Sequence, residues 1–529
     1  YFTDLTPTQI SWHPKANTSA HHTDRYARAE LTVRRGQVFT ITLWFNSKHC
    51  CLLFSLPGPA PSQAHHTKAI FNLSEAGASG WTAVQGPSES GYMNFSISSP
   101  ANAVIGRYKL SLQITSGNKV SSKFLGHFVL LFNPWCSGDD VHIANEDARQ
   151  EYVLDENGII FIGNANYIEG RGWYYGQFQD DILNICLTML DLSLYCRQDP
   201  VTDVFRRGDP KYVGRVISSM INGNDNDNGV LEGSWNDNFA EHENPSRWNG
   251  SVVILRKWRQ ENYKPVQFGQ CWVFAGVMCT VMRCLGIPTR LISNFNSAHD
   301  ADGNLSIDKY YDSSGSLFSL PYTNFRVLDA TPQKRSKGVY CCGPASVIAI
   351  REGDLNLCYD APFVFSMVNA DRIAWLVDGA RKEILHRDTH SIGNHISTKS
   401  IGNDECEDIT NSYKYKEGTD TPSPGCYSST SHSTRTGLDS GIIQRTNLQT
   451  ELGRHLYLIY AQSMLHNGTP QPPFWQDTLY ITFHPNEGNF HCCSNLGAGP
   501  IGALHGLRKS AHQARRSISG AQSAWPTAL

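Results

Sequence analysis

One cysteine stands where a polypeptide can make a thiol react. Phe268-Gly269-Gln270-Cys271-Trp272 is a Gly-Gln turn that delivers Cys271 to an apolar run, which continues to Leu285 and stops at Gly286 and Pro288. Gly just past a helix and Pro shortly after it are stop signals. The run is apolar nearly all round, so the pattern predicts a buried helix with Cys271 at its N-terminus. There the backbone N–H groups and the helix dipole favour the thiolate, which is the nucleophile. The alternative is a core cysteine that happens to precede a helix, because free Cys is among the most buried residue types. The turn before Cys271 and the Trp after it favour a nucleophile facing a cleft.

Two loops are dense in oxygen. Asp300-Ala301-Asp302-Gly303-Asn304-Leu305-Ser306 places oxygen side chains at alternate positions, with Asp308 beyond. Hard cations want many oxygens, and such a loop can wrap one. It is similar to the first half of an EF-hand loop but lacks the closing Glu; a solvated acidic turn is the other reading. Asn222-Gly223-Asn224-Asp225-Asn226-Asp227-Asn228-Gly229 is equally oxygen-rich. Asp329, before Thr331-Pro332 at the end of a strand-like run, could be a turn former.

The elements that must position these residues can be taken in chain order. Residues 1–137 read as a β-sandwich: 29–33, 37–45, 93–97 and 107–112 alternate apolar with polar, with a turn at Arg35-Gly36 and no long helix. An acidic segment from Asp139 to Glu151 leads to an α+β core over 138–430. Helical spacing appears at 180–187 and 212–220, before the cysteine helix, and strands such as 290–292 and 325–328 come after it. Residues 431–493 contain linker and two strand-like runs, 456–460 and 479–483. From 494 to 529 the chain is Ala/Gly/Ser/Arg-rich and reads as a disordered tail.

Composition narrows the classes. Lys and Arg number 45 against 48 Asp and Glu, net −3, so nothing suggests nucleic acid or an acidic membrane surface. No run is apolar for the roughly 18 residues of a membrane helix. No signal peptide is evident, and the 15 cysteines, an odd number, read as reduced thiols of a cytoplasmic protein.

Gly269-Gln270-Cys271-Trp272-Val273-Phe274-Ala275 resembles the active-site signature of the animal transglutaminases. Matching stretches include Leu131-Phe132-Asn133-Pro134-Trp135, Tyr175-Gly176-Gln177-Phe178, Ser293-Asn294-Phe295-Asn296-Ser297-Ala298-His299-Asp300 and Val327-Leu328-Asp329-Ala330-Thr331-Pro332-Gln333. The chain is most similar to the epidermal members of the family. The resemblance implies a multidomain α+β protein: an Ig-like N-terminal β-sandwich, a papain-like core and a partial, truncated C-terminal β-barrel. It implies a protein-glutamine γ-glutamyltransferase that cross-links protein glutamine to lysine through a Cys thioester, with Ca2+ as cofactor.

By resemblance, Cys271 is the nucleophile, Asp329 orients the base and Trp235 donates to the oxyanion. Calcium falls to Asp300, Asp302, Asn304 and Ser306; to Asn224, Asn226 and Asp227; and to Asn369, Asp371 and Glu417. The family's His-x-Trp segment, between the calcium loop and the Asp329 strand, has no counterpart here, since Tyr311-Asp312-Ser313 runs through Ser316 to Pro321 straight into Phe325-Arg326-Val327. The catalytic His is therefore not found, which implies impaired turnover. His299, His386 and His390 are candidate substitutes. A catalytically inactive scaffold or binding protein is the alternative. A papain-like protease is a further rival, opposed by the accessory β domain and the calcium loops.

Overall fold

The structure is a computed structural model. It describes residues 7–27, 30–45, 51–58, 61–64, 67–73, 80–89, 91–116, 119–225, 227–235, 239, 242–298, 306–311, 330, 332, 335–336, 338–353, 355, 359–378, 381–416, 457–463 and 477–483. Among them no helix is long and apolar enough to cross a membrane. Asp300, Asp302, Asn304, Asn226, Asp329, Glu417 and His299 lie outside the described residues, as do the strand expected at 325–328 and the tail 494–529.

The N-terminal part is two facing sheets. One has the order Pro7–Ser11, Val38–Phe45, Tyr92–Ser98, Thr82–Glu89; the other runs Leu31–Arg34, Lys119–Leu131, Gly106–Ser116, Cys51–Pro57, Lys68–Asn72. Phe39, Ile41, Leu43 and Phe45 alternate into the space between them and meet Phe95, Ile97, Leu110 and Leu112 in a single apolar cluster. Arg35-Gly36 turns the chain with Gly36 at φ +69°, and this turn moves it from one sheet to the other. A side chain at Gly36 would be strained by that φ and would meet Cys136 Sγ at 2.6 Å.

The core is built around the helix Cys271–Cys284, every residue of which is buried. Helices Ile182–Leu192, Pro210–Ile221 and Ser251–Gln260 pack against it. Pro210–Ile221 begins two residues before the spacing expected at 212–220: Asp209 accepts from the Lys211 N–H at 2.9 Å and Pro210 occupies the first turn. The cysteine helix ends as expected. Leu285 closes it, Gly286 takes φ +89°, and Ile287 N–H returns to the Met282 carbonyl at 2.9 Å.

Arg290–Phe295 comes next and lies in a five-stranded antiparallel sheet. On one side it pairs with His395–Lys399, which pairs with Cys406–Asp408. On the other it pairs with Asp477–Phe483, which pairs with Tyr457–Ser463. The register runs from Arg290 opposite Thr482 to Phe295 opposite Asp477. The cysteine helix lies against both of these C-terminal strands as well as Arg290–Phe295. A separate three-stranded sheet holds Ser306–Tyr311, Asp371–Asp378 and Arg381–Asp388.

Candidate active site and cation loop

Two short parallel strands aim the candidate residues. Leu231–Gly233 pairs with Val266–Gly269, Leu231 opposite Val266 and Gly233 opposite Gly269. The pairing continues past the strand ends: Ser234 N–H donates to the Gly269 carbonyl at 3.2 Å, and Gln270 Nε2 donates to the Ser234 carbonyl at 3.0 Å. The register shifts by one residue between Glu232 and Gly233, after which Trp235 and Cys271 each follow the paired glycines by two residues. Gly233 makes room for the Trp235 ring, because a Cβ there would lie 2.5 Å from it. Gln270 is the extended N-cap of the helix and Cys271 its first residue, as the sequence predicts.

The thiol is not open to a cleft in this conformation. Cys271 is 0% exposed and belongs to the main apolar core, as buried as Cys279 and Cys284. The expectation of an accessible nucleophile is corrected here. The same strand pairing that aligns Cys271 with Trp235 folds both against Phe274, Leu231 and the rest of that core. Trp272 is 4% exposed, its indole N–H has no hydrogen-bond acceptor among the described residues, and the Arg171 guanidinium lies 5.7 Å from its ring centroid. Trp248, which the sequence did not single out, braces the approach by donating its indole N–H to the Phe268 carbonyl at 2.9 Å.

Two of the candidate substitute histidines lie on or beside the separate three-stranded sheet. His386 is exposed on Arg381–Asp388, an outer strand of the separate sheet, and His390 is exposed just beyond it. His395 has an aspartate beside it, Asp408 Oδ2 lying 3.7 Å from its Nδ1. It stands opposite Phe295, on the face shared with Ser293. Ser293 donates its hydroxyl to the Phe161 carbonyl at 2.5 Å, so that face is the one covered by the strand Asn157–Asn164. His242, unremarked in the sequence, meets the Phe268 ring edge-on at 5.0 Å and is exposed.

The loop 222–229 fits a hard cation at one carboxylate. Asp227 is fully buried; Oδ1 accepts the Gly229 N–H at 3.2 Å, while Oδ2 is buried without a partner among the described residues. Burial, then the neighbouring Asp225 charge, pushes its carboxyl up to about 6. A carboxylate so placed is relieved by a cation. Asn224 is exposed on the same loop. Among the described residues no group of three or more His, Cys, Asp and Glu side chains converges on a metal position, so a cation here would draw on amide and carbonyl oxygens. Of the other expected ligands, Asn369 is half-buried at the end of the helix Ala361–Asn369. Asp371 is paired with Arg387, whose Nε donates at 2.8 Å. Ser306 opens the strand Ser306–Tyr311.

Comparison with known proteins gives one answer. Residues 8–115 match the N-terminal domain of the transglutaminase family, and residues 242–326 match the core of the transglutaminase-like superfamily. Human protein-glutamine gamma-glutamyltransferase 5 is 42% identical over 90% of this chain and 78% of its own length. The bovine protein-glutamine gamma-glutamyltransferase E is 49% identical over 77% of this chain. Human protein-glutamine gamma-glutamyltransferase 6 is 50% identical over 78%. The chain spans 63% and 62% of the lengths of those two relatives, respectively. The crystal structure of red sea bream transglutaminase superposes with a TM-score of 0.71 at 36% identity, covering 87% of this chain and 72% of that one. With its sandwich, its buried cysteine helix and these relatives, the chain belongs to the transglutaminase family of acyltransferases.

Proposed function

We propose that the site is that of a calcium-dependent protein-glutamine γ-glutamyltransferase, acting on protein glutamine and lysine side chains in the cytoplasm. The observation that carries this is the parallel pairing of Gly233 with Gly269, which Trp235 and Cys271 each follow by two residues. In this reaction the Cys271 thiolate attacks the glutamine carboxamide carbon. The C–S bond forms, the C–N bond breaks, and ammonia leaves with an added proton. A lysine amine then attacks the thioester, gives up a proton, and releases the thiol with an isopeptide bond formed. The Trp235 indole N–H is the donor for the developing oxyanion, and Asp329 is the residue that would orient a base. Asp227, with Asn224 and Asn226, would hold calcium, which supplies charge that lets the loop keep a buried carboxylate ionised. The free thiols of Cys136, Cys186, Cys196, Cys279, Cys284, Cys341 and Cys406 suit a reducing compartment.

Turnover by this chain is depressed, because the sequence lacks the family's His segment. The buried Cys271 also supports a second reading, in which the chain binds partners without turning them over. Incorporation of a labelled primary amine into a glutamine-rich protein, with and without calcium, separates the two. We expect negligible incorporation by the chain as it is, because removing one member of a catalytic unit costs several orders of magnitude. Inserting a His-x-Trp segment between Asp312 and Phe325 should restore it, and Cys271→Ala should abolish it again. Failure of the insertion to restore activity in a folded protein would favour the binding reading. Turnover by the unmodified chain, lost on Cys271→Ala, would show that another histidine serves as base.

A further inference from the structure

The loop 222–229 is held on two sides. On one side Asn222 bridges to Leu231, and Gly223 N–H donates to the Leu231 carbonyl at 2.6 Å, which ties the loop to the strand that delivers Trp235. On the other side it meets the small hairpin Arg335–Ser336 and Val339–Tyr340, which comes after Asp329 in the chain. Asn222 Nδ2 donates to the Tyr340 carbonyl at 2.9 Å. Tyr340 N–H donates to Asp225 Oδ2, and Arg335 pairs with Asp225 Oδ1 at 3.0 Å while its guanidinium lies 4.3 Å from the Tyr340 ring centroid. The Asp225 side chain is only 3% exposed. Arg215, on the helix leading into the loop, grips the same hairpin through Ser336 Oγ at 2.7 Å.

The two carboxylates of the loop therefore differ in kind. Asp225 has both oxygens committed to the hairpin, whereas Asp227 keeps one buried oxygen without a partner among the described residues. We propose that Asp225 is a latch rather than a ligand: it couples cation binding at Asp227 to the order of the hairpin 335–340. The proposal rests on the calcium reading of this loop. Without a cation, the two carboxylates, two residues apart on one loop, repel, and the repulsion weakens the contact that Asp225 makes with the hairpin. A divalent cation at Asp227 removes that repulsion and lets Asp225 settle on Arg335 and the Tyr340 N–H. By linkage, whatever the cation adds to the hairpin contact the contact adds to cation affinity.

Amide hydrogen exchange of the full chain tests this, with calcium chloride as the probe and calorimetry alongside. We expect calcium to slow exchange of the Tyr340 amide by about 5-fold or more, and Asp227→Asn to remove both the slowing and the associated heat. Arg335→Lys, which keeps the charge but loses the planar fork and its stacking on Tyr340, should weaken calcium binding several-fold. Calcium binding that leaves Tyr340 exchange unchanged overturns the latch and leaves the calcium site standing. Binding that speeds Tyr340 exchange also overturns it, because Asp225 has then left the hairpin to become a ligand. If Asp227→Asn changes no binding heat, the calcium reading of the loop fails and the latch fails with it.

Discussion

Cys271 and Cys406 differ in access, which alkylation in the native state requires besides the thiolate. Cys271 is wholly buried, Cys406 is exposed, and Cys136 is intermediate. Limiting iodoacetamide on the native chain should therefore modify Cys406 and Cys136 before Cys271, with the difference lost in denaturant. Peptide mapping that finds Cys271 modified first would mean the helix N-terminus opens readily in solution. His21 makes the second prediction at this scale. Its Nδ1 accepts the Arg34 N–H at 2.9 Å, so the ring proton sits on Nε2, which faces the Val38 carbonyl at 3.0 Å. Burial, aided by the Arg34 charge, pushes it down to about 4 from the ordinary 6.5. The unfolded chain then binds a proton that the folded chain refuses between those values. Stability falls as pH drops from 6.5 through 4, by about 3 kcal/mol in total. Urea midpoints measured across that window should show a shallower slope for His21→Gln, which can keep both hydrogen bonds without titrating. Equal slopes would mean the imidazole protonates freely in the fold.

At the scale of one element, Gly276 in the middle of the cysteine helix is the informative position. Gly costs a helix roughly 1 kcal/mol against Ala, so propensity alone would reward replacement. Packing forbids it. A Cβ at Gly276 would lie 2.3 Å from the Trp173 ring, and that indole is pinned by its N–H bond to Ser251 Oγ at 2.9 Å. Gly276→Ala should destabilise by about 1–3 kcal/mol, as overpacking of a rigid core does, and thermal unfolding would show it. A gain in melting temperature would mean Trp173 can withdraw. The same helix carries Cys271 at its first position.

Across the whole molecule, a buried ion pair fastens the N-terminal sandwich to the segment that leads into the core. Arg35 meets both oxygens of Asp139 at 2.6 Å, with both side chains 0% exposed. The remaining Arg35 donors reach the carbonyls of Ala103 and Gly208 at 2.8 Å, and Asp139 also accepts the Asn133 and Val141 N–H groups. Such a pair is costly to break because one uncompensated charge stays buried. Asp139→Ala should destabilise by about 3–5 kcal/mol, and Arg35→Met with Asp139→Leu should recover much of that. Denaturant titration of the single and double variants checks it. A single variant no less stable than the double one would mean water reaches Arg35.

Features that depend on neighbours a few residues apart are legible in the sequence. The cysteine helix, its start after Gln270 and its stop at Gly286, the alternating strands of the sandwich and the oxygen-rich loop 222–229 all come from local periodicity, capping and turn chemistry. Features that depend on distant partners emerge only with the tertiary fold. Asp225 and Asp227 look alike in a run of alternating Asn and Asp. They take different roles because Tyr340 and Arg335, more than a hundred residues on, settle against one of them and not the other. Cys271 reads as reactive from its helix position, yet its exposure is set by how Leu231–Gly233 packs beside it and folds Trp235 and Phe274 over the same core. Arg35 is a turn residue and Asp139 part of an acidic link until the fold buries them against each other. Propensity acts within a turn or a strand, whereas burial and charge pairing are properties of surfaces that exist only once the chain has closed on itself.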